Sequence, residues 1–328
     1  MKKLSILLLV IGFSAAFGAE PDRISIKVET GRFDFFVGDE LVTRYYTGSD
    51  LAKPYFWPLN APGAVPVTRG WPMEKGLPKE TTDHVHQKSG WFCHGDVIPE
   101  GVTTIPSSDK SVKGVDTWSE TRGHGRIVCV SNEKISDSAL QTRNVWQDAA
   151  GTKFLEETRV ISLQAAGPGR LLVLDINLDA SICPITFGDT KEGAIGVRVN
   201  DQIRLTAKGP HSNLVDADGK SGETDVWGMF SNWCDYSGEV DGKLVGIAIF
   251  DATTNKPRAC WHARAYGLMA ANPFGRNRSG FPAQKGQTEL VKLAKGEHLR
   301  FRYGIYLHTG DSNEGKVADA YEQFSKLR

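Results

Sequence analysis

Short runs in which apolar and polar residues alternate recur along most of this chain. They include Ile24-Ser25-Ile26-Lys27-Val28, Arg126-Ile127-Val128-Cys129-Val130 and Leu171 to Ile176, then Ile195 to Val199 and Leu244 to Phe250. Successive side chains of a strand point to opposite faces, so period-two runs need a sheet with one face buried. Turn-forming clusters cut the runs at near-regular intervals: Gly38-Asp39, Asp148 to Gly151, Asp216 to Gly219 and Asp241-Gly242. Together they predict an all-β fold of antiparallel strands. A large β-sandwich is the simplest way to bury so many half-apolar strands, and the extended supersandwich of aldose epimerases is one form it could take by analogy. A single short helix is expected at the C-terminus, where Val317, Ala320, Tyr321, Phe324 and Leu327 share a face and Asp311 or Ser312 could cap it.

Met1-Lys2-Lys3, the apolar run Leu4 to Phe17 and the small residues Ala16, Gly18 and Ala19 have the form of a bacterial signal peptide. The expected organisation is a leader over residues 1–19 and a single β-sandwich domain over 20–328, located in the periplasm or outside the cell. No later run approaches the roughly 18 apolar residues of a membrane-spanning helix. The 39 basic and 39 acidic residues balance and are dispersed, which leaves no electrostatic footprint for nucleic acid or an anionic membrane. Five cysteines are widely spaced and form no Cys-x-x-Cys knuckle; the expectation is buried thiols with at most one disulfide.

Candidate chemistry falls in three segments. Between Asp83 and Asp96 lie three of the eight histidines, His84, His86 and His94, with Trp91 between them. On extended backbone His84 and His86 would share a face, placing two imidazoles before one substrate or one divalent metal. If a metal binds, these two are its candidate ligands, with carboxylates completing the set. In the second segment, Asp189 to Gly193, Glu192 is the candidate general acid or base, with Lys191 or Arg198 tuning its pKa or binding an oxyanion. In the third, Trp261 to Gly267, alternation sends His262, Arg264 and Tyr266 to one face and Trp261, Ala263 and Ala265 to the other. A strand face bearing His, Arg and Tyr suits a polar cleft better than a core.

Aromatic residues crowd these segments, among them Tyr45, Tyr46, Tyr55, Phe56, Trp57, Trp71 and Trp91, then Trp227, Trp233 and Tyr236. The apolar faces of sugar rings stack on such surfaces while their hydroxyls suit Arg, Asp and His, so the expected ligand is a carbohydrate. Gly-x-Ser-x-Gly, Gly-x-Gly-x-x-Gly, the full phosphate-binding loop Gly-x-x-x-x-Gly-Lys-Ser/Thr and His-Glu-x-x-His are all absent from the sequence.

Several segments taken together resemble the PmoA-like family of exported bacterial proteins, labelled methane oxygenase. They are Thr43-Arg44-Tyr45-Tyr46, Pro54 to Leu59, Thr68-Arg69-Gly70-Trp71-Pro72, Asp83-His84-Val85-His86, Gly90-Trp91-Phe92 and His94-Gly95-Asp96-Val97. The resemblance continues through Asp189 to Gly193, Asn232 to Gly238, Trp261-His262-Ala263-Arg264 and Asn272-Pro273-Phe274-Gly275. The family pattern tends to read Asp-His-x-His-His-Arg where this chain has Gln87 and Lys88. The label implies a metal-dependent oxygenase; the secreted, β-rich character points instead to glycoside or polysaccharide breakdown.

The sequence thus predicts an exported glycoside hydrolase, lyase or epimerase. His84, His86, Glu192 and His262 are its expected catalytic groups. Arg69, Trp91, His94, Asp96, Lys191, Arg198, Trp233, Arg264 and Tyr266 are expected to bind substrate. The alternatives are a non-catalytic carbohydrate-binding protein and, third, the oxygenase of the family label.

Overall fold

A computed structural model describes residues 23–327 apart from Lys79 and Pro210, so the leader reading over 1–19 lies outside the described residues. Two large sheets dominate. The first orders its strands Ile24–Glu29, Arg32–Val37, Glu40–Tyr46, Tyr55–Ala61, Gly90–His94, Gly193–Arg198, Leu268–Asn272 and Cys260–Arg264, with the short Val65–Pro66 paired beside Tyr55–Ala61. The second runs Asn213–Asp216, Trp233–Val240, Lys243–Asp251, His298–Thr309, Gly169–Asp179, Lys153–Ala166, Ala139–Gln147 and Arg126–Lys134. A small third sheet joins Val291–Leu293, Ile185–Phe187 and Val97–Pro99. Every pairing between these strands is antiparallel.

Turn chemistry sets the registers. Val240 pairs with Lys243 across Asp241-Gly242, whose φ values of 49° and 77° are those of the two-residue turn that matches strand twist. Asp148 and Asp216 each use Oδ1 to accept from two backbone N–H groups two and four residues on, closing the neighbouring turns.

The core lies between the large sheets. Phe92 of the first meets Trp146 and Tyr303 of the second, with ring centroids 6.2 and 6.3 Å away. Embedded there is a charged pair. Arg159 Nε donates to Glu157 Oε1 at 2.6 Å, both side chains being shut from solvent. Trp146 Nε1 donates to Glu157 Oε2 at 2.8 Å and Arg159 Nη1 to the Tyr45 hydroxyl at 3.0 Å, so the pair is hydrogen-bonded as a buried pair must be.

The outer face of the second sheet is covered by the C-terminal helix Val317–Ser325. Val317, Ala320 and Phe324 pack on Ala248, Phe250 and Tyr306. Its cap differs from expectation. Lys316, in the left-handed region, precedes the helix, while Asp311 accepts from the N–H groups of Asn313 and Glu314 in the turn before it. A one-turn helix, Gly222–Val226, was not expected. All five cysteines carry free thiols, and all but Cys129 are buried.

Candidate active site

Four adjoining strands of the first sheet make the floor of a cleft. Gly196 pairs with Trp91 on one side and Ala270 on the other, and Ala270 pairs with His262. Cross-strand partners share a face, so Trp91, Gly196, Ala270 and His262 form one row. The two small residues leave room for the Trp118 indole, which lies edge-on to Trp91 at 5.2 Å and stacks near His262 at 6.3 Å. A Cβ at position 196 would stand 3.0 Å from the Trp91 ring and 3.3 Å from that of Trp118. Within Cys260–Arg264 the alternation is as expected: Trp261 and Ala263 enter the core, and His262 and Arg264 take the opposite face.

Around this floor is a cavity of about 390 Å³. Its walls include His84, His86, Gln87, Asp116, Trp118, Thr190, Lys191, Glu192 and Tyr266; His262, expected among the catalytic groups, is buried and does not line it. The two histidines do not stand on a strand. A turn closed by the Gln87 N–H donating to the His84 carbonyl at 2.9 Å carries them, with Val85 exposed between. The rings still meet, edge to face at 5.7 Å, because the turn folds them together.

The turn is fastened from below. Arg69 Nη2 donates to the carbonyls of Asp83 at 2.9 Å and His84 at 3.3 Å, while its Nη1 contacts the Asp83 carboxylate. Arg198 Nη2 donates to Asp83 Oδ1 at 3.0 Å, and its Nη1 to Gln87 Oε1 at 2.6 Å. Burial raises the Asp83 pKa, but Arg69, Arg198 and His84 outweigh it and hold the carboxyl well below its usual range. Asp83 Oδ2 lies 2.9 Å from His84 Nδ1, which assigns the proton to Nδ1 and leaves Nε2 as the basic nitrogen. His84 stacks on Tyr266 at 5.2 Å and 8°, and the Arg198 guanidinium lies 4.7 Å over the same phenol ring. The imidazole is thus fixed in plane by a carboxylate and in tilt by an aromatic face.

Glu192 stands just ahead of Gly193–Arg198. Burial is the main cause lifting its pKa to about 7; Lys191 opposes the rise and Asp116 adds to it. Among the described residues nothing donates to its carboxylate, whereas its carbonyl accepts from Gly95 N at 2.7 Å. Gly95 has no room for more: a Cβ there would come 2.8 Å from the Glu192 Cβ. Asp116 is buried and raised by that burial, although Trp118 N at 2.8 Å and Ser119 N at 3.0 Å donate to it. Burial, then the charges of Lys53 and His84, push His86 down to about 3. His262 also falls to about 3, chiefly by burial, although its Nδ1 lies 2.7 Å from the Lys191 carbonyl. Both rings are therefore neutral over the ordinary pH range.

Other expected site residues are placed elsewhere or do other work. Trp91 is roofed by Trp118. His94 points to the inner face among Phe187 and Phe274, its Nε2 2.9 Å from the Gly188 carbonyl; burial lowers it to about 4. Asp96 does not line the cleft itself; it accepts from Lys113 N at 2.9 Å and Gly114 N at 2.7 Å and so pins the loop that carries Asp109, Asp116 and Trp118. Trp233 belongs to the second sheet and packs toward the C-terminal helix. Arg69 and Arg198 are buried behind the histidine turn and position it, where substrate contact was expected. Arg264 faces Glu223 at 3.1 Å and lies over Trp227. Tyr266 lines the cleft from a turn, because the strand ends at Arg264.

Sequence reasoning missed Gln87 as a partner of Arg198 and missed the 106–120 loop, which supplies Asp109, Asp116 and Trp118. The Asp116-x-Trp118 spacing next to a serine was the only local signal. Among the described residues no group of three or more His, Cys, Asp or Glu side chains is placed to hold a metal. The donors present do not fit the metal centre that the oxygenase label implies.

The sequence matches DUF6807, described as a family of unknown function, over residues 32–322, and the chain belongs to it. No curated protein matches it. Among solved structures it is similar to a putative aldose 1-epimerase from Escherichia coli K12, with 13% identity, 87% of this chain and 98% of that one covered, and a TM-score of 0.38. A galactose mutarotase-like protein from Clostridium acetobutylicum shows 10% identity, coverages of 88% and 99%, and a TM-score of 0.35. A GH36 α-galactosidase from Geobacillus stearothermophilus shows 9% identity and a TM-score of 0.35, over 89% of this chain and 42% of that one. Overlap this loose transfers neither a residue nor a reaction.

Proposed function

We propose that this DUF6807 chain is a carbohydrate-active enzyme working by general acid–base catalysis between the His84–Gln87 turn and Glu192. One observation carries the reading: a carboxyl with a pKa of about 7 and no protein hydrogen bond shares a cavity with an imidazole oriented by Asp83. A catalytic acid or base works best when its pKa lies near the working pH, and Glu192 meets that condition. At neutral pH Glu192 gives a proton to a sugar oxygen, and His84 Nε2 accepts one from a hydroxyl or a water.

The walls supply what a polyhydroxylated ring needs. Asp109, Asp116, Ser119 and Thr190 offer hydrogen bonds; Trp118 and Tyr266 border the cavity, but Trp118 is buried and the Tyr266 ring is stacked against His84 and Arg198, so they shape the wall and leave no open stacking face. The cavity lies in the size range of small-molecule sites. Export belongs to the same proposal, on the strength of the leader over residues 1–19; sequencing the mature N-terminus from a periplasmic fraction tests it.

Screening the purified protein against a glycan and glycoside panel, with product mass as readout, tests the activity. Fragments whose masses sum to the substrate plus one water mark hydrolysis, fragments that sum to the substrate alone, one of them unsaturated, mark elimination, and an unchanged mass with altered NMR marks epimerisation. The expected result is turnover that falls at least about 100-fold in Glu192→Gln and in His84→Ala. Full activity in both variants overturns the assignment. Carbohydrate binding without turnover in the unaltered protein makes it a binding module.

A further inference from the structure

The cleft does not end at Glu192. Ser111, Val112, Thr190 and Lys191 line both it and an adjoining hollow of about 250 Å³. Asp96, Asp189 and Arg278 line both that hollow and a further one of about 200 Å³, whose wall adds Lys113. Shared walls make the three a continuous groove, longer than one sugar ring needs.

The carboxylates of its far part take hydrogen bonds from the protein itself. Asp189 accepts from Arg276 N at 2.7 Å, Arg278 N at 2.6 Å, and Ser279 N and Oγ at 3.0 and 2.5 Å. Asp96 is buried, with Oδ1 held by two backbone N–H groups. Asp109, at the cleft side, accepts from Ser111 N at 2.8 Å. The cations are less engaged. The ammonium groups of Lys113 and Lys191 have no ion pair among the described residues. Arg278 uses only Nη2, donating to the Ser111 carbonyl at 2.7 Å, which holds the side chain across the hollow. Three cationic side chains with donors to spare therefore border the groove, beside carboxylates that keep their charge but are engaged by backbone N–H groups.

We propose that Lys113, Lys191 and Arg278 form a subsite for the carboxylate or sulfate of a sugar residue next to the one bound between His84 and Glu192. The substrate class is then an anionic oligosaccharide, and this rests on the carbohydrate reading of the cleft. A guanidinium with free N–H groups suits either oxyanion, so the two sources must be separated by ligand.

Isothermal titration on Glu192→Gln protein, which prevents turnover, compares two matched pairs: trigalacturonate against its methyl ester, and a sulfated carrageenan tetrasaccharide against the same tetrasaccharide after desulfation. The expected result is at least tenfold tighter binding of the acidic member of one pair, which identifies the anion. The preference disappears in the Lys113→Met/Arg278→Met double variant while affinity for the neutral member stays, a control for folding. Equal affinities within both pairs, or a preference that survives the double variant, overturn the subsite alone. Failure of all four ligands to bind overturns the subsite and the carbohydrate reading together.

Discussion

Glu192→Gln should give a protein that is inactive yet more stable at neutral and alkaline pH. The carboxyl rises from 4.5 to about 7 in the fold, mainly through burial. At about 1.4 kcal/mol per pH unit, that difference corresponds to about 3 kcal/mol. The folded state holds the proton more tightly than the unfolded chain, so its advantage is complete below pH 4.5. It is lost as pH rises toward 7 and stays lost above. Glutamine has nearly the same shape and no charge to desolvate, so the variant escapes that loss. The two proteins should therefore match near pH 4 and diverge by about 3 kcal/mol at pH 8. With unfolding entropy of roughly 2 cal/mol/K per residue, this is about 5 °C in Tm for a chain of this length. Thermal denaturation of both proteins from pH 4 to 8.5, followed by circular dichroism, reads the difference directly. Other groups titrate alike in both and cancel. Parallel Tm curves, or a variant that loses stability as pH rises, would refute the raised carboxyl and with it the acid–base assignment.

Three further outcomes follow from contacts described above. Asp83→Asn leaves the buried guanidiniums of Arg69 and Arg198 without their counter-charge. The Asp83 side chain is 42% exposed, so solvent screening limits the expected cost to about 1–2 kcal/mol in urea unfolding at pH 7. The Asp83 carboxyl is depressed in the fold, so the wild-type advantage should shrink as pH falls through the acid range. Gly95→Ala forces a methyl group to 2.8 Å from the Glu192 Cβ and 3.1 Å from its carbonyl oxygen. Steady-state kinetics should show kcat down at least about tenfold, with a stability loss of about 1–3 kcal/mol. Glu157→Ala strands Arg159 between the sheets and should cost about 3–5 kcal/mol in the same denaturation assay. Its kcat/KM at a permissive temperature should be unchanged, because the pair lies in the core away from the cleft.

The strands were legible because apolar-rich runs are cut at near-regular intervals by turn residues. Lys243–Asp251, Gly169–Asp179 and Gly193–Arg198 enclose such runs although both their faces are largely buried, and Val317–Ser325 follows the single apolar helical stripe. Alternation misled where both faces are covered. In Gly90–His94 every residue is buried, so the pattern could not tell that Trp91 lies under Trp118 while His94 enters an aromatic core. His84 and His86 were rightly paired but for a different geometric reason: a turn, not a pleat, brings them together. Asp116 and Trp118 escaped notice because a loop has no period, and only the fold shows that it closes over Gly196. The roles of Arg69 and Arg198 depend on long-range contacts, with partners such as Asp83 and Gln87 lying far off in sequence for Arg198, which no local pattern encodes.

The histidine turn takes no part in any strand ladder. What fixes it is a set of donors, the Arg69 and Arg198 guanidiniums, reaching up to one carboxylate, two backbone carbonyls and one side-chain amide. Neither carbonyl depends on the identity of the residue that bears it. Lys88 adds a further anchor by donating to Glu120 at 2.7 and 2.8 Å. Positions 84 to 86 can therefore vary without disturbing the sheet, provided that Asp83, an acceptor at 87 and Lys88 remain. The sheet serves as a two-pronged socket and the turn as an interchangeable tip. Relatives with other residues in these positions would carry different reactivity on the same frame, and grafting three residues, 84–86, tests whether it transfers.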